Sequence, residues 1–245
     1  MRGTIARATW GMPVVFLSLL AGVVAAPDDV TFPAPIRAGG RGLFTTLQGR
    51  THTEKFDARL LHWEVLGNLL WASCGVNRAD QGERTVPVMG PSFAVRLYLL
   101  AAEGVWLYEP LSHRLVGTSS GDFRALATTG TSPREGALGM SFTAESGAGA
   151  PEAAAPVVLV YVADAVVHAE GLAQAPTGAA DRGLIMAALQ AGHIAQNIQL
   201  FGVSEGIGLQ THTVFAQATA LSRELGLASP AQILMAQSIG YPLPR

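Results

Sequence analysis

The stretch Pro156-Val157-Val158-Leu159-Val160-Tyr161-Val162 constrains this chain more than any other. Its β-branched and aromatic residues favour a strand, and nothing polar alternates with them. A strand apolar on both faces has to be covered on both. It therefore belongs at the centre of a sheet, with material packed above and below.

Other patterns supply that material. Leu61, Val65, Leu66, Leu69 and Leu70 recur at helical spacing, which predicts a helix over Leu60 to Ser73. Gly75 follows as its stop, a residue able to take positive φ. A longer helix is expected over Ala180 to Ser204, with Leu184, Ala188, Ala191, Ala195 and Ile198 on one side. Its many small residues point to close packing against another helix. A short helix from Leu43 to Gln48 ends near Gly49.

Strand signals come from Phe93, Val95, Leu97 and Leu99, then from Val105 to Tyr108 across a Glu103-Gly104 turn, with His113 to Val116 extending the meander. Gly121 to Ala127 reads as a brief helix. Gly206 to Phe215 reads as a strand, Ala216 to Leu225 as a helix and Ile233 to Ile239 as a closing strand. Thr128 to Ala155 and His168 to Thr177 read as loops. The mixture makes an α+β domain.

Hydrophobic residues are 49% of the chain and charged residues 14%, which excludes a disordered or fibrous class. A formal charge of -2, with Lys55 the only lysine, leaves no basic footprint, so no nucleic acid partner is expected. Arg2 and Arg7 precede an apolar run from Trp10 to Val24, and the small residues Ala25 and Ala26 follow. This is the plan of a secretory signal peptide over residues 1–25, which implies a periplasmic or secreted protein. The run is short for a bilayer span of roughly 20 residues, so no stable membrane span is expected once the signal is removed. An uncleaved anchor is the alternative. Pro27, Pro33, Pro35 and the pair Gly39-Gly40 mark residues 26–42 as an extended N-terminal arm ahead of a domain at 43–245. Cys74 is the sole cysteine, so no internal disulfide can form, and its apolar setting reads as a small buried hydrophobe.

Chemical motifs are sparse. Gly117-Thr118-Ser119-Ser120-Gly121 matches the G-x-S-x-G pattern of serine hydrolases, but a polar, hairpin-like piece precedes it where a buried strand is needed. The six histidines, His52, His62, His113, His168, His193 and His212, show no metal-ligand spacing. No catalytic side chain and no metal site is assigned. Two polar turns stand out instead: Gly49-Arg50-Thr51-His52-Thr53-Glu54-Lys55-Phe56 and Ser204-Glu205-Gly206-Ile207-Gly208.

Read in order, several segments resemble the nitroreductase family, and in particular its branch related to the azoline and thiazoline oxidases. They are Leu69-Leu70-Trp71-Ala72-Ser73-Cys74-Gly75-Val76-Asn77-Arg78, Arg84-Thr85-Val86-Pro87 and Val157 to Asp164. Gly192-His193-Ile194-Ala195-Gln196-Asn197 follows, then Ser204-Glu205-Gly206 and Ala236-Gln237-Ser238-Ile239-Gly240-Tyr241-Pro242. The similarity runs from about Pro33 to Pro242.

The resemblance implies a nitroreductase-like fold with a central antiparallel sheet flanked by helices. It also implies a homodimer with flavin mononucleotide (FMN) at the subunit interface, and a flavoprotein oxidoreductase passing hydride through flavin to an acceptor. The substrate is a small molecule that the sequence does not identify. A cofactor of this kind carries the hard chemistry itself, so no dedicated protein acid or base is needed.

In the family an R-x-S-x-R-x-F segment holds the flavin phosphate. Arg50 and Phe56 match it, while His52 stands in place of the serine and Glu54 in place of the second arginine. His212 replaces a later arginine. Pro87-Val88-Met89-Gly90-Pro91 replaces the Pro-Ser-x-x-Asn stretch that meets the flavin ring. Glu205 and Gly206 remain at the ring edge, with Gly208 close by, and Arg84 offers a compensating charge. The implied cofactor-binding set is thus Arg50, His52, Arg84, Glu205, Gly206, Gly208 and His212. Two readings follow: an FMN-dependent oxidoreductase, or a flavin-free binding or accessory protein on the same scaffold. A lost charge-assisted hydrogen bond costs roughly 1.5–3 kcal/mol, and each 1.4 kcal/mol is about tenfold in affinity.

Overall fold

The computed structural model describes residues 25–88, 93–128, 155–164, 179–213, 217–229 and 231–244, with only the backbone of 179–182. The leader expected over residues 1–25 lies almost wholly outside these, as do most of the Thr128–Ala155 stretch and all of His168–Thr177.

The apolar run forms β7 (Val157–Ala163), and all seven of its residues are buried. It pairs antiparallel with β4 (Val95–Leu100) on one side and β9 (Gln232–Gly240) on the other. β5 (Gly104–Glu109), β6 (Arg114–Ser120), β8 (Gly208–His212) and the short β1 (Val30–Thr31) complete a seven-stranded sheet ordered β1-β6-β5-β4-β7-β9-β8. Every neighbouring pair in this sheet is antiparallel. A separate ribbon pairs β2 (Val76–Arg78) with β3 (Glu83–Arg84).

Both faces of the sheet are covered, as β7 requires. α2 (Trp63–Cys74) and α4 (Ala179–Glu205) pack on the face presenting Leu97, Leu99, Leu159 and Tyr161. α3 (Arg124–Thr128) and α5 (Ala218–Glu224) cover the face presenting Tyr98, Leu100, Val158 and Val160. α1 (Leu43–Gly49) lies against the last turns of α4, where a side chain on Gly49 would strike Val203. Fully burying each such aliphatic or aromatic side chain contributes about 1.5–3 kcal/mol.

Several expectations need correction. Gly75 does stop α2, but at φ -64°. It is required because a Cβ there would lie 2.3 Å from the Trp71 side chain and 2.6 Å from the Trp71 carbonyl oxygen. The helix begins at Trp63 rather than Leu60, and Leu61 is buried from the extended lead-in. On α4 the buried row is Ala187, Ala191, Ile194, Ala195 and Ile198, while Ala188 faces outward. Strand β6 runs on to Ser120 and absorbs the G-x-S-x-G match, with Ser119 opposite Val105 in the ladder. A serine paired within the ladder is not the raised turn that a hydrolase nucleophile needs.

Candidate functional site

The segment after α1 is drawn along β8, the edge strand of the sheet. Thr53 donates its backbone N–H to the Leu209 carbonyl at 3.1 Å. Its side chain is buried against Gly208, where a Cβ would meet Thr53 atoms at 2.5–2.9 Å. Only glycine at 208 permits this approach. His52 and Glu54, flanking the buried Thr53, are both exposed.

Arg50 reaches α4, donating from Nη1 to Gln199 Oε1 at 3.2 Å. Gln199 Nε2 donates to Thr211 Oγ1 at 3.4 Å, and Gln237 Nε2 donates to the same oxygen at 3.3 Å. The Tyr161 hydroxyl then donates to Gln237 Oε1 inside the core. A polar chain thus links the exposed guanidinium to the central strand. Among the described residues, no carboxylate is paired with Arg50.

His212 follows Thr211 on β8, so its side chain leaves the opposite face of the sheet. Its Nε2 lies 2.8 Å from Ser238 Oγ. Burial pushes the imidazole down to about 4, and the charge of His52 acts in the same direction. At neutral pH His212 therefore offers a phosphate hydrogen bonds but no charge.

At the end of α4, Gly206 takes φ 73° and Ile207 N–H returns to the Gly202 carbonyl at 2.7 Å. A Cβ on Gly206 would meet nothing within 4 Å, so this backbone is open to an approaching flat group. Ser204 Oγ donates to Glu205 Oε1 at 3.1 Å and accepts the Arg41 N–H at 2.9 Å, which ties the arm to the turn.

Along β8, Arg50 thus lies toward the α4 face, where Thr211 points. His52 acts on His212 at the opposite face, with Glu205 and Gly206 in the turn leading into the strand. Arg84 does not join them. Its Nη1 donates to the Cys74 carbonyl at 3.1 Å and its guanidinium lies 4.3 Å above the Phe93 ring. Cys74 is buried, and burial raises its thiol to about 11, so it is no nucleophile.

Side chains that the sequence reading missed organise this region. Gln190, fully buried on α4, accepts the Ala94 N–H at 2.9 Å and donates to the Pro87 carbonyl at 3.4 Å. It therefore ties Pro87, the first residue of the stretch that replaces the flavin-ring loop, to Ala94; residues 89–91 of that stretch lie outside the described residues. Two turns on, Asn197 donates to the Ala72 and Thr85 carbonyls, both at 3.1 Å. The available signal was a polar residue within the apolar spacing of α4. No group of histidine, cysteine and carboxylate side chains among the described residues could hold a metal ion.

Residues 47–241 match the model of the nitroreductase family. A Ralstonia eutropha JMP134 protein assigned as a nitroreductase superposes with TM-score 0.72 at 24% identity, covering 100% of this chain and 97% of its own. The E. coli microcin synthetase McbBCD complex matches with TM-score 0.60 at 17% identity over 97% of this chain and 85% of that one. The NADPH:FMN oxidoreductase of Vibrio harveyi, solved with NAD+, matches with TM-score 0.53 at 17% identity, over 83% and 72%. These likenesses show the fold. No curated protein is a significant match. With residues 47–241, four-fifths of its length, inside the family model, and a fold shared with these structures, the chain belongs to the nitroreductase family.

Proposed function

We propose that this chain is an exported, homodimeric oxidoreductase that uses FMN to pass hydride to a small-molecule acceptor. The observation carrying this reading is that one edge strand and the turn before it carry the open Gly206 backbone and the Thr53–Gly208 contact, beside a segment whose Arg50 bonds Gln199 of α4. FMN, when bound, would supply the hydride chemistry. Arg50 and His52 would hold its phosphate, with neutral His212 offering a hydrogen bond. Gly206 and Gly208 would let the ring lie close to the backbone, and Glu205 would stand at its edge. Gln190 would orient the Pro87–Ala94 stretch. These residues fit the group on two counts: a guanidinium without a carboxylate partner, and backbone that no side chain fills.

The homodimer is supported by apolar side chains left outside. Leu43, Phe44 and Leu47 are exposed on α1, and Ile185 and Leu189 on α4, with Phe44 at 86% exposure. Exposed apolar side chains at both ends of α4, on α1 beside its last turns and at Ile185 and Leu189 near its start, favour burial against another copy. Export rests on the leader read in residues 1–25.

The decisive measurement is the visible spectrum of the purified full-length protein, before and after adding FMN and removing the excess by gel filtration. Retained flavin absorbance is expected. A colourless protein that takes up no FMN overturns the reading. In that case the second reading, a flavin-free binding or accessory protein, gains ground, and a specific observation already favours it: His212 is held neutral and Glu54 adds a carboxylate to the same segment. Glu54→Arg separates the two. It should tighten FMN binding by about ten- to a hundredfold if the segment faces phosphate, as the loss of one charge-assisted bond would weaken it.

A further inference from the structure

The ladder between β4 and β5 pairs Leu100 with Val105, Leu99 with Trp106 and Tyr98 with Leu107, and there it stops. Both strands continue, β4 back to Val95 and β5 on to Glu109. Beyond Tyr98, β4 stays paired with β7 as far as Val95 opposite Ala163. Beyond Leu107, β5 stays paired with β6 through Tyr108–Leu115 and Glu109–Arg114. Two neighbouring strands therefore part, and a cavity of about 420 Å³ opens where they do. That lies within the roughly 300–1,000 Å³ of small-molecule sites.

The charge in its walls is unbalanced in one place. Arg96 is ion-paired with Asp164, and Glu109 with Arg114 at 2.7 Å. Each carboxylate lining the cavity thus already has an arginine. Arg84 is left over: its contacts are the Cys74 carbonyl and the Phe93 ring, and among the described residues no carboxylate pairs with it. Its guanidinium can still present N–H groups to an anion in a fork suited to carboxylate. Val95, Leu97, Leu107 and Leu111 make the remaining wall apolar. In the order β4-β7-β9-β8 the wedge is three strand spacings, about 14 Å, from the strand carrying His212.

We propose that this wedge is a second binding site, for a small organic carboxylate with an apolar body. The carboxylate pairs with Arg84, and the hydrocarbon or ring fills the gap between Phe93 and Leu107. The site does not depend on flavin.

The test is calorimetric titration of the full-length protein, with and without added FMN, using 3-phenylpropanoate and its uncharged analogue 3-phenylpropanamide. The acid should bind saturably at one site per chain and the amide at least about tenfold more weakly. Arg84→Gln should weaken the acid by about ten- to a hundredfold and leave the amide unchanged. Leu111, which is 82% exposed at the cavity wall, gives a second variant that spares the core: Leu111→Trp should block both ligands. Equal binding of acid and amide overturns the proposal, as does an Arg84→Gln protein that binds the acid normally, or no saturable binding of the acid. Acid binding by a protein that takes up no FMN would sustain this site while sinking the flavin reading.

Discussion

At the scale of single residues, His212 shows how burial changes what a side chain can contribute. A histidine standing where the family resemblance implies an arginine would offer partial charge if it were exposed, but here desolvation keeps it neutral to about pH 4. The linkage has a definite sign. The folded value lies below the unfolded value of about 6.5, so stability is complete above that pH and is lost as pH falls toward 4, because only the unfolded chain takes up the proton. The loss should approach about 3 kcal/mol across that window. Urea unfolding at intervals between pH 7 and pH 4 should show it, and His212→Gln should flatten that part of the profile. An unchanged slope in the variant would mean that other groups carry the acid sensitivity.

At the scale of elements, the site depends on how one irregular segment is held to an edge strand. The Thr53–Leu209 backbone bond and the missing side chain at Gly208 bring residues 50–54 alongside β8. Gly208→Ala places a methyl group within 2.5–2.9 Å of Thr53 atoms. We expect it to cost about 1–3 kcal/mol and to weaken FMN binding, since the segment must move away. Adding Thr53→Ala should recover most of both losses, a coupling that a double-mutant cycle in urea measures directly. Additive losses would show that the contact does not hold the segment.

At the scale of the whole molecule, a sheet covered on both faces still leaves apolar residues of α1 and α4 outside. Placing charges on both helices, as Phe44→Glu with Leu189→Glu, should convert the proposed dimer to monomer in sedimentation equilibrium. If flavin sits between subunits, FMN retention should fall with it. A double variant that becomes monomeric yet keeps its flavin would place the cofactor within one chain. Neither side chain belongs to the buried core, so the variant should remain folded as a monomer.

Much of the fold was legible from local pattern. An uninterrupted apolar run means a strand buried on both faces, and β7 takes that place because no edge or one-sided position could bury its seven residues. The helical rows of α2 and α4 and the hairpin at Gly104 were legible for the same reason: period and turn chemistry act over a few residues. The small errors were local too. Gly75 and Ala188 were misread because a close approach to Trp71 and the exact rotation of α4 depend on what each meets.

What only the tertiary structure decided involves partners far apart in the chain. Gln190 holds Ala94 across 96 residues, Arg50 reaches Gln199 across 149, and Arg84 faces a cavity that exists only because β4 and β5 follow different neighbours. Desolvation and leftover charge are properties of an assembled environment. The sequence by itself determined which segments must be buried; packing determined which polar groups were left facing a ligand.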